Sequence, residues 1–278
     1  MFDTKDNLNL DQDKLTVLQK LNTHHYYPIY GLSIILNYLE DGFRVHIFSL
    51  FFLLWYTMAI KNKDVKCMKI GIIGSGDVGK TLAIALNQNG QKVMLSSRAP
   101  EGLASFITDN PEILIGNPFE TASFGEVVIN ATPGLKSLDA LLPLKHALDD
   151  KTLIDLSNPL EFPEQTLSVA NTDSLGEQIQ RLLPETKVIK TLNTVNAKIM
   201  VNPSLLGTLD HVMFISGNDF IAKQVVTDIL KELFNWKHVI DLGDIRSART
   251  QEMLLPLWLK LYEKMGNAMF NFNIVKKE

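Results

Sequence analysis

Cysteine is almost absent from this chain, which contains a single one, Cys67, among its 278 residues. An intrachain disulfide and a CxxC redox or metal motif are therefore excluded. The solitary thiol fits a reducing compartment, so we expect a cytoplasmic protein in which Cys67 is inert. The six histidines form neither an HExxH nor an HxH motif, and we predict no metal site.

An excess of positive charge is also lacking. Lys and Arg total 27 against 31 for Asp and Glu, which gives a net charge of -4. Binding to a phosphate backbone needs a surplus of cationic side chains on one face, so we expect no nucleic-acid partner. The sequence also shows no Ser-His-Asp, Cys-His or paired-carboxylate pattern, and we predict no catalytic residue.

The chain has no apolar run long enough to define a membrane helix clearly. A bilayer-spanning helix needs roughly 20 apolar residues, whereas the run at residues 45–60 is shorter and contains His46, Ser49 and Thr57. Because the composition changes after it, we interpret residues 1–67 as an extension. Three interpretations stay open: a weak membrane anchor, a helical appendage, or an over-extended gene start with translation from Met68.

From Met68 onward, short apolar runs of β type alternate with helical patterns. The alternation predicts one doubly wound α/β domain over residues 68–278, with a mostly parallel Rossmann sheet and helices on both faces. We predict strands at 69–73, 92–96, 126–131, 152–156, 187–192, 211–216 and 238–241, and helices at 78–87, 136–148, 174–183 and 220–234.

A long amphipathic helix, about residues 246–270, is predicted to close the chain. Its apolar stripe is expected to pack in the core, which is the usual role of such a stripe. The stripe comprises Met253, Leu254, Leu257, Trp258, Leu261, Met265 and Phe270.

The most informative stretch is the glycine-rich run KIGIIGSGDVGKTLAIAL. Gly74, Gly76 and Gly79 form the pattern G-x-G-x-x-G between a predicted strand and a predicted helix. In a dinucleotide-binding fold the first glycine permits the tight turn and the second lets the backbone approach the pyrophosphate. The third lets the helix pack closely on the strand, and the amides at the helix start face the phosphates.

The same residues also satisfy G-x-x-x-x-G-K-[ST], the phosphate loop of nucleoside triphosphatases. In that interpretation Lys80 reaches the terminal phosphates and Thr81 holds Mg²⁺. The second predicted strand, KVMLSSR, decides between the two, because it follows closely as a Rossmann unit requires. It ends in Ser96, Ser97 and Arg98 instead of the carboxylate typical of NAD enzymes, and hydroxyls with a guanidinium suit a 2′-phosphate. We therefore predict NADP(H).

Three further strand ends carry polar turns, in the segments ATPG at residues 131–134, LSNPL at 156–160 and TLNTV at 191–195. Such residues are common in any turn. Because all three are expected at the same edge of the sheet as the glycine loop, we predict that they line a binding crevice.

With these motifs in hand, residues 68–278 resemble the NADP oxidoreductases that depend on coenzyme F420, a deazaflavin. The resemblance rests on MKIGIIGSGDVGKTLA, SSR, INATPG, DLSNPL, VIKTLNTVNAKIM and the C-terminal ARTQEMLLPLWLKLYEKMG. The same type of domain also occurs as the NADPH-binding module of six-transmembrane ferric reductases. The first 67 residues depart from the typical member.

The resemblance implies hydride transfer between NADP(H) and a deazaflavin- or flavin-like acceptor, with possible homodimerisation through the C-terminal helix by analogy. The alternative is a non-catalytic NADP(H)-binding sensor or partner module. Asn158 and Asn193 are expected near the acceptor ring. The predicted cofactor site comprises Gly74, Ser75, Gly76, Asp77, Val78, Gly79, Ser97, Arg98, Thr132 and Pro133.

Overall fold

The computed structural model describes residues 67–277. The predictions made for the N-terminal extension therefore lie outside the described residues, except that Cys67 is exposed. None of the described helices is long and apolar enough to cross a membrane, and residues 67–277 contain no group of three potential metal ligands.

An eight-stranded sheet forms the centre of the described chain, in the order β10-β9-β8-β5-β4-β1-β2-β3. Strands β1, β2 and β3 follow one another to one side, and β4 returns to the other side of β1. This reversal is the topological switch point where doubly wound folds bind ligands. The strands of the sheet are Lys69–Ile73, Lys92–Ser96, Leu114–Gly116, Val127–Asn130, Thr152–Asp155, Lys187–Thr191, Val212–Gly217 and His238–Asp241. Strands β6 and β7 form a separate hairpin, Leu160–Glu161 with Thr166–Leu167.

Nine α-helices connect or flank these strands within the described residues. They are α1 Asp77–Gln88, α2 Ala104–Asp109, α3 Pro118–Phe124, α4 Gly134–Leu141, α5 Lys145–Leu148, α6 Leu175–Leu182, α7 Ala197–Val201, α8 Phe220–Asp228 and α9 Ala248–Met265.

Helices cover both faces of the sheet because successive strand residues point to opposite sides. Ile72 on β1 belongs to a core cluster with residues of α1, α2, α7 and α8. Its neighbour Ile73 belongs to a second cluster with residues of α3, α4, α5 and α6. The predicted two-layered arrangement around a mostly parallel sheet is therefore confirmed.

One pair of strands departs from parallel order. Strand β9 runs antiparallel to β8, although β10 is again parallel to β9. This reversal could not be predicted, because an apolar strand that is buried on both faces has the same residue pattern in either direction. Several short elements were also not predicted, because each has too few residues to show a periodic pattern of apolar side chains. They are strand β3, hairpin β6–β7 and helices α2, α3 and α7.

The predicted helix at 136–148 is interrupted. A 3-10 turn at Leu142–Leu144 separates α4 from α5, and Pro143 lies within it, where it cannot donate a helical hydrogen bond. The predicted helix at 220–234 likewise ends as a π-helical turn, Ile229–Leu233.

The expectation that the stripe of the last helix packs in the core is wrong. Met253, Leu257 and Met265 are 43%, 49% and 52% exposed, respectively. The buried positions of α9 are instead Ala248, Gln251, Glu252 and Leu255. Helix α9 therefore turns a partly polar face inward and leaves much of its apolar stripe on the surface of the described residues.

Candidate functional site

The glycine loop lies between β1 and α1 at the switch point, and its three glycines meet three different environments. Gly74 has φ of 118°, and a Cβ there would lie 2.5 Å from the carbonyl oxygen of Ala131. A Cβ on Gly79 would overlap the carbonyl oxygen of Gly74. Gly76 faces open space, with nothing within 4 Å of its Cβ position. The loop is thus tightly packed behind Gly74 and Gly79 and open in front of Gly76.

Helix α1 begins at this opening. Gly76 is its N-cap residue and provides no side chain to accept a hydrogen bond from the first turn. The amides of a first helical turn have no partner within the helix, and the helix dipole places partial positive charge there. An anionic group such as a pyrophosphate is therefore favoured in front of Gly76.

The end of β2 contains no carboxylate. Ser96 and Ser97 are buried, and the Ser97 hydroxyl accepts a hydrogen bond from the Ala99 amide at 3.1 Å. Arg98 is exposed beside them. Its guanidinium can therefore reach a ligand at the edge of the sheet without loss of a buried partner.

In a phosphate loop the side chain of Lys80 would reach the terminal phosphates, but here it contacts an aromatic ring. Its Nζ lies 5.8 Å from the ring centroid of Phe106 on α2, within the distance of a cation–π interaction. This contact favours the dinucleotide interpretation of the loop.

A polar cluster follows β4. Asn130 is fully buried, and its Oδ1 accepts a hydrogen bond from the Thr132 hydroxyl at 2.6 Å. Its Nδ2 donates to Asp155 Oδ1 at 2.9 Å and to Ser137 Oγ at 3.1 Å. Thr132 is therefore held in place by a side chain from inside the sheet.

Two carboxylates surround a buried lysine on the next strands. Lys190 Nζ lies 2.8 Å from Asp155 Oδ2 and 2.8 Å from Glu252 Oε1, and it also donates to the carbonyl of Ser157. Burial alone would lower the pKa of Lys190, but the charges of Asp155 and Glu252 outweigh it and raise that pKa above its usual value. The two carboxylates therefore favour the charged form of Lys190.

Sequence reasoning missed this cluster, which we refer to as the Lys190 ion cluster: Lys190, Asp155 and Glu252. Asp155 and Lys190 are paired in register on β5 and β8. Glu252 comes from α9, far along the chain. The available signal was a charged residue at or near the carboxyl end of each strand, Asp155 in TLID and Lys190 in KVIKT.

The two asparagines predicted beside the acceptor lie together. Asn193 Nδ2 donates to Asn158 Oδ1 at 2.9 Å and to the carbonyl of Gln251 at 3.1 Å, while Asn158 Nδ2 donates to the carbonyl of Asn193 at 2.8 Å. The buried atoms Asn193 Oδ1 and Gln251 Oε1 have no donor among the described residues. Leu192, just before Asn193, adopts φ of 63°, which is rare for a side chain of this type.

The remaining predicted site residues lie in the same loops. Ser75 is half-buried within the glycine loop, Asp77 is the exposed first residue of α1, Val78 packs against the core, and Pro133 is the exposed N-cap residue of α4. The sheet thus places all the predicted residues in the loops that follow β1, β2, β4, β5 and β8 or in the first turn of α1.

These features suit a phosphorylated dinucleotide. Gly76 leaves the space that a backbone-bound pyrophosphate needs, and β2 ends in hydroxyls and a guanidinium without an acidic residue to repel a 2′-phosphate. Fold and site together define a Rossmann-type dinucleotide-binding protein.

Comparisons with known proteins narrow this class. A family model described as NADP oxidoreductase, coenzyme F420-dependent, matches residues 69–159. A candidate F420-dependent NADP-reductase from Arthrobacter sp. has a solved structure that is 44% identical, with a TM-score of 0.72, covering 75% of this chain and 100% of that one. The F420-dependent NADP reductase of Methanothermobacter marburgensis is 27% identical over 209 residues, 70% of this chain and 92% of the relative.

Metalloreductase STEAP2 of Homo sapiens is 32% identical over 202 residues, which are 71% of this chain. The chain spans only 37% of the length of that relative. From the Arthrobacter structure and the family model, this chain belongs to the family of F420-dependent NADP oxidoreductases.

Proposed function

We propose that this protein transfers a hydride between NADP(H) and a flat acceptor of deazaflavin or flavin type. The observation that carries the proposal is the pairing of the open cradle at Gly76 with the carboxylate-free end of β2. The acceptor class is supported by the relatives whose names contain F420.

Each end of the cofactor has a proposed set of partners in this chain. The backbone at Gly74 and Gly76 and the first turn of α1 bind the pyrophosphate, and Gly79 keeps that turn close to β1. Ser97 and Arg98 bind the 2′-phosphate through charge-assisted hydrogen bonds. Ser75, Asp77 and Val78 complete the loop.

The proposed acceptor pocket is formed by the turns after β4, β5 and β8. Thr132 and Pro133 orient the nicotinamide end, and Asn158 and Asn193 contact the acceptor. When bound, NADPH supplies a hydride from its nicotinamide ring. Beside this pocket, the buried oxygens Asn193 Oδ1 and Gln251 Oε1 have no donor among the described residues.

No catalytic acid or base is needed in this proposal. Hydride transfer to a flavin-like ring depends on orientation and on exclusion of water more than on a protein acid or base. Lys190 does not change this conclusion, because its pKa is raised by the neighbouring carboxylates of Asp155 and Glu252, although burial opposes that shift.

The direct test measures the oxidation of NADPH by the purified protein through the change in absorbance. Deazaflavin, FMN and ferric chelates are offered separately as acceptors. We expect oxidation with a deazaflavin or flavin and little with NADH in place of NADPH. Tight NADPH binding without turnover with any acceptor would contradict the proposed reaction.

Arg98→Glu tests the cofactor assignment. The substitution should weaken NADPH binding by about 1–3 kcal/mol, the usual scale for a hydrogen bond to a charged group. Calorimetric binding of NADPH and NADH measures both affinities, and that for NADH should change less. Arg246→Glu is a matched control, since Arg246 is exposed and follows β10, at the far end of the sheet from β2. An unchanged NADPH affinity in Arg98→Glu would refute the assignment.

The similarity to metalloreductases supports a second candidate, a module that passes electrons from NADPH only when a partner is present. Tight NADPH binding with oxidation only by a ferric chelate, or only after a partner is added, would favour it over the deazaflavin reaction.

A further inference from the structure

A row of polar side chains crosses four neighbouring strands beneath the proposed pocket. Asn130, Asp155, Lys190 and Ser216 are aligned in register on β4, β5, β8 and β9. All four are completely buried. Because residues in register share one face of a sheet, the row faces the layer that contains α4, α6 and α9.

The charges in this row are fully satisfied. The three N–H groups of Lys190 donate to Asp155, to the Ser157 carbonyl and to Glu252. Glu252 also accepts hydrogen bonds from the amides of Leu175 and Gly176, at 2.8 and 2.9 Å. Helix α9 is thereby joined through one carboxylate to β8 and to the first turn of α6.

Stability alone does not explain such a cluster. Desolvating each ion costs several kcal/mol, and well-packed apolar residues of similar volume often stabilise a fold equally well. A buried ion cluster does impose one geometry on the elements that it joins, because any other arrangement leaves a charge unpaired.

Hydrogen bonds connect both ends of the row to residues of the proposed pocket. At one end, Asn130 accepts from the Thr132 hydroxyl at 2.6 Å. At the other, Ser216 Oγ accepts from Gln251 Nε2 at 2.7 Å, and the carbonyl of Gln251 accepts from Asn193. Gln251 is adjacent in the chain to Glu252, so the same turn of α9 contacts both the Lys190 ion cluster and Asn193.

We propose that Lys190 and Glu252 are positioning residues of the acceptor pocket. The Lys190 ion cluster fixes the ends of β5 and β8 and the first turns of α9, and thereby holds Asn158 and Asn193 in their mutual hydrogen bonds. The inference rests on the proposed function only for the identity of the pocket, since the hydrogen-bond geometry can be measured without turnover.

Glu252→Gln tests the proposal, because it keeps the size of the side chain but removes its charge and one acceptor atom. With isotope-labelled asparagine, nuclear magnetic resonance reports the side-chain amides of Asn158 and Asn193 directly. We expect both amides to shift or broaden, the rate constant for acceptor reduction to fall roughly tenfold or more, and the affinity for NADPH to remain that of the wild type.

Arg249→Met is the matched control. Arg249 lies one turn earlier on α9 and pairs with Glu177 of α6 at 2.6 Å, so it joins the same two helices without contact to the polar row. The substitution Arg249→Met should lower the melting temperature but leave the amide resonances of Asn158 and Asn193 and the rate constant for acceptor reduction unchanged. Equal effects of Glu252→Gln and Arg249→Met on amides and rate, compared at equal folded fraction, would overturn the proposal.

Glu252→Asp provides a second variant if Glu252→Gln does not fold, because it keeps the charge but withdraws the carboxylate from Lys190. A shift of the Asn158 and Asn193 amides supports the proposal, and unchanged amides overturn it. Failure of the wild type to oxidise NADPH with any acceptor would refute the proposed function, whereas the amide spectra would still decide the positioning role.

Discussion

Gly74, Gly76 and Gly79 occur within six residues, yet the structure constrains them differently. Gly74 combines a positive φ with a close backbone contact, and Gly79 has backbone where its Cβ would be. Gly76 has ordinary backbone angles and open space around its Cβ position. A glycine there leaves the space in front of the helix free, as the proposed binding of a pyrophosphate needs.

Alanine substitutions should separate these roles. Gly79→Ala forces the backbone apart and should lower the free energy of unfolding by about 3 kcal/mol or more. Gly76→Ala should change it by no more than about 1 kcal/mol, the difference expected at a helix N-cap, but should weaken NADPH binding by about 1–3 kcal/mol through overpacking. Urea unfolding and calorimetric titration measure the two effects. Normal NADPH affinity in folded Gly76→Ala would show that the cradle is not the binding site.

The residues of the glycine loop could be predicted because their partners are close in sequence. The Lys190 ion cluster could not, because its geometry depends on strand register and on Glu252, which α9 brings from the far end of the chain. The sequence does contain part of the information needed to predict the cluster. Strands β4 and β5 end in Asn130 and Asp155, and the penultimate residue of β8 is Lys190. A polar residue in a strand that is buried on both faces needs a buried hydrogen-bond partner.

Among the helices, α6 is secured at its start by side chains. Ser174 accepts from the Glu177 amide as its N-cap, and Glu252 accepts from the two preceding amides, those of Leu175 and Gly176. Asp173 precedes the cap and pairs with Arg181 at 2.6 Å, connecting the two ends of the helix. The Arg181 hydrogen bond holds the pKa of Asp173 at about 2.

This ion pair predicts a local acid dependence of stability. A carboxylate with a depressed folded-state pKa contributes stability above its unfolded pKa, here 3.8, and loses it as the pH falls towards about 2. Asp173→Asn should therefore lower the free energy of unfolding at neutral pH, by about 1 kcal/mol or less because both side chains are partly exposed. The difference from wild type should vanish near the lower pH.

A double-mutant cycle with Arg181→Met isolates the pair from other acidic groups. Urea unfolding of the four proteins at neutral and acidic pH measures the coupling energy. A coupling energy that does not decrease with acidification would contradict the assignment of the low pKa to this pair.

Element boundaries show where periodicity succeeds and fails. Strands β1, β2 and β10 have the predicted ends, since turn residues flank each apolar run. Helix α9 was predicted too long at both ends and with the wrong orientation. Its polar residues Gln251 and Glu252 are buried because β8 and β9 present polar partners, so the helix does not follow the rule that the apolar stripe faces inward.

At the scale of the whole molecule, the orientation of α9 divides its residues into two sets. The inward set contacts Asn193 of the proposed pocket through Gln251 and Lys190 through Glu252. The outward set, Met253, Leu257 and Met265, leaves apolar surface exposed on the helix. Met253 and Leu257 are neighbours one turn apart, and Met265 lies about two turns further towards the end of the helix. Homodimerisation through the C-terminal helix, predicted from the family resemblance, would cover this surface with its counterpart in a second copy.

Leu257→Lys tests this prediction by placing a charge within that exposed apolar surface. We expect the wild type to sediment as a dimer and the variant as a monomer, because an uncompensated cation opposes burial in an apolar contact. Leu142→Lys is the matched control, since Leu142 is 55% exposed, close to the 49% of Leu257, but lies between α4 and α5. A monomeric wild type, or a dimer retained in Leu257→Lys, would show that this face does not hold two copies together.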